Sequence, residues 1–333
     1  MKKGYLGFFV SLFLLAGTAW GDAIKIPVAS PFTGQLASFG EGVKNGALLK
    51  GSEINASGGI RGRKVKIVLE DELCDPKEAA TVATKLANDP AVSIVVGHLC
   101  SSATLAALPI YRAAKLPAIS PASTNVSIGK MSPFYFRNVY KDDFQGLFLA
   151  KYAHFVKGYK KVAIFYEVND YSMGLMLAFM KEAKKLGIKI LGTEAYTADT
   201  TDFTQGTLIV SQAVSLGIRN AGFFGADGLD DDLMLKNPDA EELFVTTPFL
   251  PDKAGPRAAG FIRAYRKAYG KDPNWFAANS YDAVGLAAAA ITAVGQDRVK
   301  IRDYLASINT REKAYEGVAG KTYFDKNGDC LKD

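Results

Sequence analysis

Histidine and cysteine are scarce in this chain, at two and three residues in 333. No His/Glu metal motif, phosphate loop or dinucleotide fingerprint is present, so metal-assisted hydrolysis, nucleotide hydrolysis and hydride chemistry have no recognisable foothold. His98 follows an apolar run but has neither a nucleophile nor an orienting acid at triad spacing, and it reads as structural. The acidic run Asp230-Asp-Asp232 lacks the spaced ligands of a calcium loop and reads as solvated. No helix-turn-helix signature precedes the first strand. The net charge of +6 is spread over helix faces such as Lys181, Lys184 and Lys185 rather than gathered into a patch, so nucleic acid is not an expected partner. Past residue 21 no apolar segment is long enough to cross a bilayer. Neither a cofactor nor a resident metal is called for, and enzymatic activity has no positive support.

What is present is a globular composition, 48% hydrophobic and 22% charged, behind a distinctive start. Lys2 and Lys3 precede the apolar stretch from Leu6 to Ala16, and Ala19-Trp-Gly21 offers small residues at a cleavage point. Residues 1–21 therefore read as a signal peptide, and the chain as exported. Their removal takes Lys2 and Lys3 away, from +6 to +4. The remaining length of about 310 residues suffices for two domains with sizeable cores. In an oxidising compartment Cys74 and Cys100, each just past a strand end, can pair. Cys330, in the polar stretch Asp325-Lys-Asn-Gly-Asp-Cys330, then reads as a solvent-facing free thiol.

From residue 24 strands and helices alternate: strands over 24–29, 64–71, a run ending at 97, and 116–121, with helices over 41–55, 76–88 and 101–114 between them. Such alternation implies a parallel sheet covered by helices on both faces, with ligands at the carboxyl ends of the strands. Where the apolar run Ile94 to Val96 stops, Ser101 and Ser102 open a helix, and its unpaired N–H groups and dipole make a seat for an anion. A plain capping role for the two serines is the competing reading. A second alternating unit comes next, with helices over 144–156 and 172–186 and strands over 161–166 and 188–196. Two such lobes with strand ends facing one another form a cleft that closes on a small ligand. Later helices over 258–269 and 280–294 and a strand over 321–324 return to the first lobe.

The segments Asn55-Ala-Ser-Gly-Gly-Ile-Arg-Gly62, Asp71-Glu-Leu-Cys-Asp-Pro76, Gly97-His-Leu-Cys-Ser-Ser102 and Pro121-Ala-Ser-Thr124, with Gly34 and Phe39-Gly40, closely resemble the periplasmic leucine/isoleucine/valine-binding proteins of ABC transporters. The resemblance implies an α/β fold of two Rossmann-like lobes with a ligand cleft between them, the type I periplasmic binding arrangement. It implies lobe one over 22–141 continued by 250–325, lobe two over 142–249, and a cut-short hinge segment over 326–333. By matched position, Ser101 and Thr124 bind the ligand carboxylate. The carbonyl of Ala122 and the hydroxyl of Thr124 accept from the ammonium, and Asp227 stands where the family places an acid for the same group. Tyr171 closes over the ligand, while Phe39, Leu99 and Cys100 line the aliphatic side chain. The partners implied are a branched-chain amino acid and an inner-membrane permease, with the protein a periplasmic monomer.

Lobe two departs from the pattern. The family carries a further helix and strand between the turn ending at Thr204 and the helix containing Gln212 and Ala213, where only Gln205-Gly-Thr207 intervene, and it continues beyond position 333 with another strand. An alignment that loses the next unit instead is also open. Lobe two is expected to be short by one or two strands. The leading expectation is a transport binding protein. A sensor using the same cleft and a damaged, non-binding copy are the alternatives, and a bilobal hydrolase lacks catalytic residues.

Overall fold

The computed structural model describes residues 22–197, 205–218 and 222–331. The expected signal peptide and Asp202 to Thr204 lie outside these residues. The chain runs β1 (Ile24–Ser30), α1 (Ala37–Ala56), β2 (Val65–Asp71), α2 (Pro76–Asn88), β3 (Val95–Gly97), α3 (Ser101–Ala113), β4 (Ala118–Ser120) and β5 (Tyr135–Arg137). These five strands form one parallel sheet in the order β2-β1-β3-β4-β5. After β2 the chain crosses over β1 to place β3 on its other side, so the carboxyl ends of β1 and β3 flank a topological switch point. Strand β1 is buried along nearly its whole length because helices cover both faces. Neither β5 nor the short extents of β3 and β4 were legible from periodicity alone.

The second unit comprises α4 (Asp142–Lys151), continued by a π turn over Tyr152–Val156, then β6 (Lys161–Glu167), α5 (Asp170–Lys185) and β7 (Lys189–Tyr196). α4 begins two residues before the expected 144, and this brings Asp142 to its head. β6 and β7 pair in parallel, and α4 packs on α5. Next come α6 (Gln205–Ser215), β8 (Phe224–Gly225), α7 (Asp232–Leu235) and β9 (Phe244–Val245), with β8 and β9 forming a separate two-stranded parallel pair. The chain then supplies α8 (Pro256–Tyr269), α9 (Trp275–Val294), α10 (Arg298–Ser307), β10 (Tyr315–Glu316) and β11 (Lys321–Thr322). α8 and α9 pack on α1, and their apolar faces join the core beneath β1 and β3.

Two local features hold the turns at the carboxyl ends of the strands. Gly97, with φ of 138°, pairs with Ala29, and a Cβ there would lie 2.5 Å from the Ala29 carbonyl oxygen, so only glycine lets the chain turn off β3 so close to β1. The Cys74–Cys100 disulfide, Cα to Cα 5.4 Å, then ties the turn after β2 to the head of α3. Cys330 is corrected: its thiol is buried rather than solvent-facing. The polar stretch before it folds back, Phe324 bridges Cys330, and Asp329 is drawn inward by the fully buried Arg137, whose Nε donates to Oδ1 at 2.8 Å.

Candidate functional site

The head of α3 is stitched to the turn after β4 by hydroxyl groups. Ser120 Oγ donates to the His98 carbonyl at 2.6 Å and accepts from Ser123 N at 2.9 Å. The Ser123 hydroxyl lies 3.0 Å from the carbonyl oxygens of both His98 and Leu99 and 2.5 Å from Thr104 Oγ1. This knot is why a run of small hydroxylated residues sits where an apolar strand ends: each hydroxyl satisfies a backbone group that the turn leaves without a ladder partner. It brings Ser101, Ala122 and Thr124 together, all buried. Ser101 and Ser102 are not caps. Cys100 occupies the N-cap position with no side-chain cap bond, while Ser101 Oγ accepts from Asn125 N at 3.3 Å. His98 is structural, its Nε2 3.0 Å from Tyr111 Oη inside the core.

The opposing wall comes from the second unit. Asn169 caps α5, accepting from Ser172 N at 2.8 Å, and so fixes Tyr171 in the first turn. Tyr171 Oη donates to Asp227 Oδ1 at 2.5 Å and accepts from Gly228 N at 3.1 Å. The structure thus joins half-buried Tyr171 and buried Asp227 into one hydrogen-bonded unit. The two walls touch. Asp170 N donates to Ser102 Oγ at 3.2 Å, Asn125 Nδ2 donates to the Asp170 carbonyl at 2.6 Å, and Ser38 Oγ donates to Asp231 Oδ2 at 3.1 Å. Gly174 permits the approach, since a Cβ there would stand 2.8 Å from Asn125 Nδ2 and 3.3 Å from Asp142 Oδ2. Asp231, one of the three consecutive acids, therefore bridges the walls, and among the described residues no group of side chains is disposed to hold a metal ion.

Phe39 is half-buried and stacks on Phe276, with ring centroids 4.8 Å apart, and Phe276 stacks on Trp275 at 3.8 Å. Trp275 Nε1 in turn donates to the Asp227 carbonyl at 3.3 Å. Leu99 is buried in the same core as Trp275 and Phe276, and half-buried Cys100 packs against that core. Sequence reasoning did not single out Phe276 or Trp275; the cue was an aromatic pair directly after a capping Asn274.

It also missed Asp142, Gln145 and Tyr140. Asp142 is fully buried at the head of α4, its N–H donating to the Thr124 carbonyl at 3.0 Å. Gln145 Nε2 donates to Thr246 Oγ1 at 2.8 Å and to Tyr140 Oη at 3.1 Å. Burial pushes the Asp142 carboxyl up to about 8; the adjacent Thr124 hydroxyl opposes this and the charge of Asp227 adds to it. Burial likewise raises Asp227, to about 6, against the lowering effect of Tyr171, Gln145, Tyr140 and the Gly228 N–H. The Tyr171 hydroxyl is held protonated by burial and by both carboxyl charges. A helix head with neutral donors and two buried carboxyl groups thus come together where the two walls touch, an arrangement that suits a small zwitterion.

Comparison with known proteins places this geometry in context. The sequence pattern of the family described as periplasmic binding protein matches residues 23–215 and 205–330. An amino acid binding protein of Pseudomonas aeruginosa is 32% identical over 355 residues, covering 98% of this chain and 93% of its own. A leucine-, isoleucine-, valine-, threonine- and alanine-binding protein of the same organism is 30% identical, with 99% and 94% covered. Among solved structures, the branched-chain amino acid transporter substrate-binding protein LivJ of Streptococcus pneumoniae, in complex with isoleucine, superposes with a TM-score of 0.83 at 30% identity, covering 93% of this chain and 94% of that one.

Proposed function

The chain belongs to the periplasmic binding protein family, and on that premise we propose that it is the exported solute-binding component of an ABC transporter, capturing branched-chain aliphatic amino acids between its lobes. The observation that carries this reading is the meeting of the two walls, with Ser101 at the α3 head and Thr124 in the turn after β4 on one and the hydrogen-bonded Tyr171 and Asp227 on the other. In this reading Ser101 and Thr124 hold the ligand carboxylate, and the Ala122 carbonyl, Thr124 hydroxyl and Asp227 hold its ammonium. Tyr171 closes the cleft, and Phe39, Leu99 and Cys100 receive the aliphatic chain. Neutral donors for the carboxylate leave Asp227 as the one full charge paired with the ligand, which limits the desolvation cost of a ligand that must be released. The protein then works in the periplasm as a monomer, after loss of residues 1–21, and hands its ligand to an inner-membrane permease.

The proposed lobes are 22–141 with 250–325, and 142–249. The two matched family stretches overlap over 205–215, the residues of α6, which supports a second lobe shortened at that place. Calorimetric titration of the protein with amino acids tests the assignment. Leucine, isoleucine and valine should bind well and glutamate and lysine poorly, since a charged side chain against the Phe39 wall would lack a partner. Tight binding of an acidic or basic amino acid would overturn it.

A further inference from the structure

We propose that the outer edge of β6 pairs with the same edge of a second copy of this chain, antiparallel about a two-fold axis through Ile164, joining two second lobes into one four-stranded sheet β7-β6-β6-β7. The inference does not depend on which ligand the cleft takes. It sets a reversible dimer beside the monomer of the transport reading.

β6 has a strand partner on one side only. It pairs with β7, whereas β8 pairs with β9. Phe224 of β8 joins the same small core through side-chain contacts with Tyr159 and Phe179. The two edges of β6 can be assigned residue by residue. The Lys160 carbonyl accepts from Lys189 N at 2.9 Å and Val168 N donates to the Tyr196 carbonyl at 2.8 Å, so the even-numbered residues turn their backbone groups toward β7. Successive residues of a strand address opposite edges, and the irregularity in this pairing is an extra residue, Leu191, in β7 rather than in β6. Lys161, Ala163, Phe165 and Glu167 therefore point N–H and C=O outward. Glu167 N donates to Ser172 Oγ at 3.1 Å, but Ala163 and Phe165 meet no strand on that side among the described residues.

The side chains specify what such an edge accepts. β6 reads Lys161-Val-Ala-Ile-Phe-Tyr-Glu167, a cation at one end and an anion at the other, and neither has an ion-pair partner among the described residues. A lysine on an open edge ordinarily repels a strand that would add to it. Antiparallel pairing of two copies about Ile164 turns that guard into a match. Lys161 then lies opposite Glu167 of the second copy at both ends, and Phe165 lies opposite Ala163, a large side chain against a small one. The two Phe165 rings become diagonal neighbours across the axis, within reach of one another. Phe165 is 56% exposed and shares its open face with Lys161 and Ala163, while Val162 and Ile164 stay on the core face. Parallel pairing in register would instead set lysine beside lysine and glutamate beside glutamate. Ala163 and Phe165 of the two copies exchange about four backbone hydrogen bonds, and the assembly is closed because both copies use the same patch.

Sedimentation velocity of the protein from micromolar to near-millimolar concentration tests this, and a reversible monomer–dimer equilibrium is expected. Lys161→Glu and Glu167→Lys should each weaken the dimer about tenfold or more, since each sets like charges opposite one another at both ends. An equimolar mixture of the two variants should recover a heterodimer, because opposite charges again face each other at both ends. Apolar sticking through Phe165 alone would not show that recovery. Hydrogen exchange on the unmodified protein needs no variant to fold, and protection of the Ala163 and Phe165 N–H groups should rise with concentration. A protein that stays monomeric throughout, a dimer indifferent to either charge reversal, a mixture that stays apart, or no gain of protection in β6 overturns the proposal. None of these results bears on the amino-acid reading, which the leucine titration tests separately.

Discussion

The two lobes are built to different depths. The first has five parallel strands and a continuous core of 35 buried apolar side chains drawn from the sheet, α1, α8, α9 and α10. The second, among the described residues, has the pair β6 and β7, a separate pair β8 and β9, and a core of eight around Leu149, Leu175 and Phe179. No residue of β7 is buried, and Phe165 and Leu191 are more than half exposed. In the proposed reading both lobes contribute to the cleft, Ser101, Ala122 and Thr124 from one and Tyr171 and Asp227 from the other. Capture would then lean on a lobe whose own stabilisation is thin, and the strength of binding would report the folding of lobe two more than that of lobe one.

The sharpest way to break the comparison is to remove Phe179, a side chain 6% exposed in the small core. Phe179→Ala should cost about 3–5 kcal/mol, a large share of what so small a core supplies. Lobe two should open while lobe one stays folded. Hydrogen exchange would show early loss of protection in α4, α5 and β6 with β1, β3 and α9 still protected. A uniform loss across both lobes would show that they fold as one unit. Slightly smaller is the effect of the Cys74–Cys100 disulfide, which closes a loop of 26 residues wholly within lobe one. Its reduction should remove on the order of 3.5 kcal/mol by the chain-entropy estimate. The melting temperature of lobe one should fall and that of lobe two stay put, as read by separate exchange or calorimetric transitions.

That asymmetry also explains what could be foreseen. Lobe one was legible because its strands alternate with helices at regular spacing, and the start of α3 at Ser101 was marked by the end of the apolar run Ile94 to Val96. Asp142 was not legible, since an acid in the first turn of a helix ordinarily serves the dipole in solvent, and only the fold places it under Thr124. Cys330 failed for the same reason. Its burial depends on Arg137 pairing with Asp329, 192 residues away, and no local pattern encodes such a partner. β8 and β9, two residues each, are too short to carry a period at all.

The neighbouring serines at the head of α3 sharpen the comparison on a finer scale. Ser101→Ala removes a hydroxyl proposed to meet the ligand carboxylate, and leucine affinity should fall by about 1.5–3 kcal/mol, the range for a hydrogen bond to a charged group. An affinity unchanged within error would return Ser101 to a purely local role with Asn125.

Ser102→Ala should produce the smallest effect, and of a different kind. Ser102 Oγ accepts from Asp170 N across the cleft, so its bond forms only when lobe two closes on lobe one. Asp170 lies in the first turn of α5, where an unpaired N–H can turn to water once the lobes part. The loss is then the net value of one neutral hydrogen bond, about 0.5–1.5 kcal/mol, or roughly two- to twelvefold in Kd. It should fall equally on leucine, isoleucine and valine because the hydroxyl meets no part of the ligand, and it should appear as faster release rather than slower capture. Stopped-flow fluorescence separates the two rates. If Ser102→Ala instead changes the ranking of the three amino acids, Ser102 faces the ligand, and the division of labour between the paired serines is wrong.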